Sequence, residues 1–242
     1  MIIYLIRHGR QNSTACNVDV PLAPEGELQA KLLGKRMKNY PIDALYTSDL
    51  IRAVDTGRIA FADRPALLEK HFIRKELSEI DFGSLTGAAD PFVKKYYADY
   101  YDEQKIRFRE PSNRGTGSRL DRVYQYIGDF FVPTQDMHYP DGENGEMVLQ
   151  RLLPVVKEWI NGSYEHIAVV THGGVIRILL CSLFGGDFCK RLLFGTSLEN
   201  CSITELHYDT SLGGFYLDRF NDYAHIEAEP KLMRKHYVPP NQ

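Results

Sequence analysis

Met1-Ile2-Ile3-Tyr4-Leu5-Ile6-Arg7-His8-Gly9 begins with an unbroken apolar run and stops abruptly at a cation, an imidazole and a glycine. Six consecutive apolar residues suit a strand buried on both faces, the pattern of a parallel sheet rather than of a half-exposed one. The run is too short to span a bilayer. It also lacks the basic leader and cleavage site of a signal peptide.

The same grammar returns along the chain. Ile42 to Thr47 reads as a second short strand, Leu67 to Ile73 as a third and Ile167 to Thr171 as a fourth. Helical stretches lie between them. Pro24 with Glu25 and Glu27 suits a helix start, and Leu28, Leu32, Leu33 and Met37 follow at helical spacing. Ser48 has the chemistry of a helix cap, with Leu50, Ala53, Val54, Gly57 and Phe61 lining one face after it. Val148, Leu152, Val155, Val156 and Trp159 mark another helix over 143–160, in which Pro154 predicts a kink or interruption. Gly173 to Phe184 reads as a helix. Ser202 to Tyr208 and Phe215 to Phe220 form a hairpin about Gly213-Gly214. Strands alternating with helices imply an α/β layer fold with a largely parallel sheet, to which the hairpin adds antiparallel strands.

Residues 88–140 break the pattern. They are rich in Tyr, Arg and Asp, with a Gly- and Ser-containing loop at 111–118, and read as a partly helical insertion. Tyr96, Tyr97, Tyr100, Tyr101, Arg107, Arg109, Arg114 and Arg119 either line a substrate cleft or form a packed helix and a solvated loop; the second reading is favoured for most of them.

The 242 residues suit one compact domain carrying that insertion, and a net charge of −3 gives no reason to expect nucleic acid or an acidic membrane as a partner. Cys16, Cys181, Cys189 and Cys201 form no C-x-x-C pair and no disulfide framework, so a reducing, cytoplasmic setting is expected. Cys181 and Cys201 read as buried small side chains.

In open α/β sheets, ligands bind beyond the carboxyl ends of the strands. The first strand ends in Arg7-His8-Gly9. The second ends in Thr47-Ser48, with Arg52 in the next helical turn, and the fourth in Thr171-His172-Gly173-Gly174. Two arginines, two histidines and a helix N-terminus therefore share one sheet edge, and their natural guest is a phosphoryl group. Glycine after each histidine is expected to let main-chain N–H groups approach that guest. No His-x-x-x-His or clustered Cys/His pattern suggests a metal.

These stretches, with Leu77-Ser78-Glu79, Gly83, Gly87, Gly142-Glu143-Asn144 and Arg151, resemble the histidine phosphatase superfamily, the phosphoglycerate-mutase-like proteins. The resemblance spans roughly residues 1–205, with the insertion unmatched. It implies a phosphoglycerate-mutase-like three-layer α/β/α sandwich with a mostly parallel central sheet. It also implies a single histidine phosphatase domain over 1–242, a small phosphorylated substrate and no cofactor. A homodimer stays open.

Residue by residue, His8 matches the nucleophile, and Arg7, Arg52 and His172 match the phosphate pocket with Gly173 beside them. Glu79 looks like the general acid, and Glu143 is a second acid candidate or an orienting phosphate-site group. Arg10 and Gln11 stand where the family usually has an acid or Gln and then Thr or Ser; Arg10 is counted with the phosphate-binding residues. Thr14 occupies the usual asparagine position, with Asn12 and Asn17 nearby, and Asn17 is assigned to the phosphate site. Thr86 stands where many of the phosphatases carry Glu. The activity implied is hydrolysis of a small phosphomonoester through phosphohistidine. A phosphoglycerate mutase ranks below it, because Gly142-Glu143-Asn144 does not extend a mutase's substrate-gripping motif. A non-catalytic phospholigand binder ranks lower again.

Overall fold

A computed structural model describes residues 1–109, 135–195 and 197–234. The central sheet has six strands: β1 (Ile2–Arg7), β2 (Ala44–Thr47), β3 (His71–Ile73), β4 (His166–Thr171), β5 (Ile203–Asp209) and β6 (Gly214–Asp222), in the order β3-β2-β4-β1-β5-β6. β1, β2, β3 and β4 run parallel; β5 is antiparallel to β1 and to β6. In register, Arg7 lies opposite Thr171, and Thr47 opposite Val170 and Ile73, so four strand ends come level at one edge.

Alternation along the strands divides the core in two. Tyr4, Ile6, Leu45, Ala168 and Val170 face helices α1 (Pro24–Met37) and α2 (Ile51–Ala60). Ile3, Leu5, Tyr46, Ile167 and Val169 face the opposite layer. α3 (Pro65–Leu68) adds Leu67 and Leu68 to the side of α1 and α2; on the opposite side α4 (Asp90–Arg109) is followed in the chain by α5 (Gly145–Asn161) and α6 (Gly173–Leu183), and it is α5 and α6 that cover this face. Helices above and below a mostly parallel sheet make the three-layer α/β/α arrangement. α5 buries Val148, Leu152, Val155, Val156 and Trp159, as their spacing requires. Among the described residues, no helix is long and apolar enough to cross a membrane.

Four local expectations are corrected. The strand expected over Leu67 to Ile73 is only His71–Ile73, because Pro65 starts a helical turn that takes Leu67 and Leu68. The buried face of α1 runs through Gly26, Gln29, Ala30, Leu33 and Met37, while Leu28 is exposed. Pro154 does not interrupt α5: it lies on the exposed side of a continuous helix. Ser48 does not cap α2. Its hydroxyl bonds His172, and Asp19 Oδ1 instead accepts from Ile51 N at 2.9 Å.

Within the insertion, α4 packs Tyr96, Tyr97 and Tyr100 against the core, which favours the structural reading for Tyr96 and Tyr100, while Tyr97 also lines the cleft described below. Arg114, Arg119 and the loop at 111–118 lie outside the described residues, as do the side chains of Arg107 and Arg109. Cys181 and Cys201 are buried, free thiols.

Candidate active site

The peptide of His8 is held from three sides. Its N–H donates to Thr171 O at 2.9 Å, its carbonyl accepts from Asn200 Nδ2 at 2.8 Å, and the preceding Arg7 carbonyl accepts from Cys201 N at 2.9 Å. A buried loop leaving a strand must satisfy its polar groups in this way. Asn200 was not foreseen. It precedes β5, whose antiparallel course starts at the edge where β1 ends, and that hairpin topology was the available signal.

Gly9 does not offer its N–H to a guest. It donates to Thr56 Oγ1 at 2.9 Å, and Thr56 in turn donates to Arg52 O at 2.6 Å, tying the loop to α2. Gly26 lets α1 press on the same loop, since a Cβ there would lie 2.2 Å from the Arg10 carbonyl.

His8 is 5% exposed, yet it lines a cavity of about 1010 Å³. Its Nδ1 lies 2.6 Å from its neighbour's carbonyl, Gly9 O, an acceptor only, so the ring proton is assigned to Nδ1. Nε2 then carries the lone pair, and Arg52 Nε donates to it at 3.3 Å. Burial, then the charges of Arg52 and Arg7, hold the His8 pKa well below the ordinary imidazole value, with a smaller push from Arg234; the bond to Gly9 opposes them. The ring stays neutral.

Arg52, 1% exposed, is fixed by bonds from Nη1 to Val18 O (2.9 Å) and from Nη2 to Asn17 Oδ1 (3.1 Å). Asn17 also donates to Ile80 O at 3.1 Å, linking this loop to the one that carries Glu79. Arg7 donates from Nη1 to Leu198 O, while its buried Nε has no partner among the described residues. The His172 ring centroid lies 4.9 Å from that of His8. Its Nε2 is 2.8 Å from Ser48 Oγ, and its buried Nδ1 has no partner among the described residues. Burial, then His8, Arg52 and Arg7, hold His172 well below its usual pKa. Buried polar atoms without partners among the described residues, set among cations, suit an anionic guest.

Glu79 lines this cavity and a second, smaller one beside it. Oε1 accepts from Ile80 N at 3.0 Å and from Gly174 N at 3.1 Å, so the carboxylate rests on the first turn of α6. Glycine at 174 leaves the carboxylate this position, because a Cβ would lie 2.4 Å from Oε1 and push Glu79 aside. Gly173 lines the smaller cavity and Arg10 the larger. Arg10 is buried, and its Nη2 donates to Leu232 O at 3.2 Å; Gln29 Nε2 donates to the same carbonyl at 2.8 Å.

The structure does not bring Glu143 to either cavity. Its carboxylate accepts from Arg151 Nε (2.8 Å) and Nη2 (2.9 Å) and from Asp81 N (2.9 Å). Burial raises its pKa, but these donors outweigh it and hold the group below the usual carboxylate value. Arg151 also donates to the carbonyls of Glu76 and Glu79. Glu143 therefore braces the loop that carries Glu79. Arg177, Arg191 and Arg234 also line the cavities and were missed. For Arg177 the signal was its place one turn after Gly173 on the same helix face; the other two have no local pattern.

The fold is shared with known proteins. A 2,3-bisphosphoglycerate-dependent phosphoglycerate mutase of Neisseria meningitidis is 29% identical over 197 residues, covering 74% of this chain and 83% of the mutase. The structure of Bacillus stearothermophilus YhfR superposes with a TM-score of 0.69 at 23% identity, over 93% of this chain and 99% of that one. The mycobacterial glucosyl-3-phosphoglycerate phosphatase Rv2419c gives 0.66 at 20% identity, over 91% and 98%. The model of the histidine phosphatase superfamily (branch 1) matches residues 3–132 and 120–223, and the chain belongs to that superfamily.

Proposed function

We propose that the protein is a phosphatase that hydrolyses a small phosphomonoester through a phosphohistidine on His8. The observation that carries this is the state of His8: a neutral ring, its proton held on Nδ1 by Gly9 O and its Nε2 lone pair beside Arg52 in a cavity that also holds Glu79.

Nε2 attacks phosphorus in line, and the bond from phosphorus to the leaving oxygen breaks. Glu79, protonated, gives its proton to that oxygen. Arg52 turns its Nε from the imidazole to a phosphoryl oxygen, while Arg7 Nε and His172 Nδ1 donate to the others. Such preorganised charge is the main source of catalysis in phosphoryl transfer, and here side chains supply it. Glu79, now a carboxylate, takes a proton from water. The water oxygen attacks phosphorus, the P–N bond breaks, and inorganic phosphate leaves.

A second reading has one specific support: the 29% identical relative from Neisseria meningitidis is a mutase. In that reading the phosphohistidine passes its group to a second alcohol instead of water. The cavity of about 1010 Å³ beside His8 has room for water. The test is phosphate release against isomerisation of 3-phosphoglycerate, with a chelator present. Metal-independent release sustains the phosphatase; isomerisation without release replaces it with the mutase.

A further inference from the structure

We infer that Arg177 is the anchor of a second anion subsite, on the far side of Glu79 from His8, and that the substrate's leaving group carries a negative charge of its own. This rests on the phosphatase reading and narrows its substrate class.

The two cavities share Arg7, Glu79, Phe82, Tyr97 and Arg234 as common lining. The larger contains His8 and receives the phosphoryl group. The leaving oxygen must lie against Glu79, so the rest of the leaving group continues past it. What lies there is the smaller cavity of about 210 Å³. That is below the ~300–1,000 Å³ of ordinary ligand pockets and is sized for a small group. Against one lining carboxylate, Glu79, stand Arg7, Arg177, Arg191 and Arg234.

These cations are not equivalent. Arg191 is paired with Asp136 and donates to Met137 O. Arg234 is placed by its main-chain N–H, which donates to Glu199 Oε2 at 2.9 Å, so a carboxylate stands close to it. Arg177 forms no ion pair among the described residues. Its Nε donates to Phe194 O at 3.2 Å and its Nη2 to Gly195 O at 2.9 Å. Two neutral carbonyls therefore aim the guanidinium without offsetting its charge. Nη1 makes no bond and lies 3.6 Å from where a Cβ on Gly173 would be, at the cavity wall. A half-buried cation held this way is costly unless an anion completes it. A guanidinium fork suits a carboxylate or a phosphate. The ligand class is therefore a small phosphomonoester bearing a second anionic group.

The test uses matched probes. 2-Phosphoglycolate is compared with 2-hydroxyethyl phosphate, which lacks the carboxylate. 1,3-Propanediol bisphosphate is compared with 3-hydroxypropyl phosphate, which lacks the second phosphate. Wild type is expected to prefer the anionic member of at least one pair by about tenfold or more in kcat/KM; the pair that responds identifies the anion. Arg177→Met should bring that preference close to one, chiefly through KM, and Arg177→Lys should keep most of it. Should Arg177→Met not fold, Arg177→Gln, which can still donate to Phe194 O, takes its place. Equal use of both members of both pairs, or a preference that Arg177→Met leaves intact, overturns the subsite. If no probe releases phosphate, the phosphatase reading fails by itself. The subsite is then judged by calorimetric titration of wild type with the same four compounds, and equal affinities within each pair overturn it.

Discussion

The cleft has two walls of different origin. One is laid at strand ends: Arg7 closing β1, His8 after it and Arg52 in the helix after β2, with His172 buried behind them after β4; the peptide of His8 is locked to the sheet edge by Thr171 and Asn200. The other is laid by excursions of the chain: Tyr97 from α4, Arg191 from the 3₁₀ turn Phe188–Leu193, Leu198 ahead of β5 and Arg234 beyond β6. The difference teaches where chemistry and selectivity are kept apart. A sheet edge fixes groups to the tolerance that bond-making needs. Peripheral segments are free to vary without disturbing that edge.

The sharpest way to break the comparison is to remove the reacting atom. His8→Ala should lower phosphate release by about 10⁴-fold or more, with no acid-labile phosphoprotein in rapid-quench experiments. Substantial residual release would move the chemistry away from the strand-end wall.

Glu79→Gln should lower kcat by about 10³-fold on alkyl phosphates and far less on 4-nitrophenyl phosphate, whose leaving group needs no proton. Equal losses on both substrates would dismiss Glu79 as the acid.

Acid should weaken both walls. Burial holds His225, in the segment from β6 to Leu232, down at about 4 against an unfolded value of 6.5. Between those values the unfolded chain binds the extra proton. Its contribution is therefore complete above pH 6.5 and lost as pH falls toward 4, about 3 kcal/mol in all. His8 and His172 act in the same direction. Denaturant melts at pH 7.5 and 4.5 should show a smaller acid loss in His225→Gln than in wild type; identical losses would contradict the burial argument.

Gly174→Ala places a methyl against Glu79 Oε1 and should cost about 10- to 100-fold in kcat. Glu143→Gln, which loosens Arg151 beneath the Glu79 loop, should cost about tenfold, with substrate binding less affected than turnover. A mutant inert in kcat would make the brace irrelevant to the acid.

The strand-end wall was legible because buried parallel strands are continuous apolar runs, and whatever follows them must collect at one edge. Residues 1–9 and 167–174 carry that signal in sequence order alone. The excursion wall was not legible. Asn200 becomes visible only once the hairpin is laid beside β1, and Arg191 and Arg234 owe their places to contacts between distant segments. Ser48 shows the limit of local chemistry: its hydroxyl fits a helix cap, but the adjacent strand end offers His172 Nε2 at 2.8 Å, and the tertiary partner wins. Leu67 and Leu68 fit a strand by composition, yet Pro65 had already committed them to a turn of helix.

The carbonyl of Leu232 receives both Arg10 and Gln29, so the phosphate loop and the end of the described chain are fastened by one clasp. That clasp gives the site a schedule during synthesis. His8, Arg52, Glu79 and His172 are all polymerised before Leu232 and Arg234 leave the ribosome. A chain shortened after β6 would carry all four reagents but not the clasp that fastens the phosphate loop from the far end.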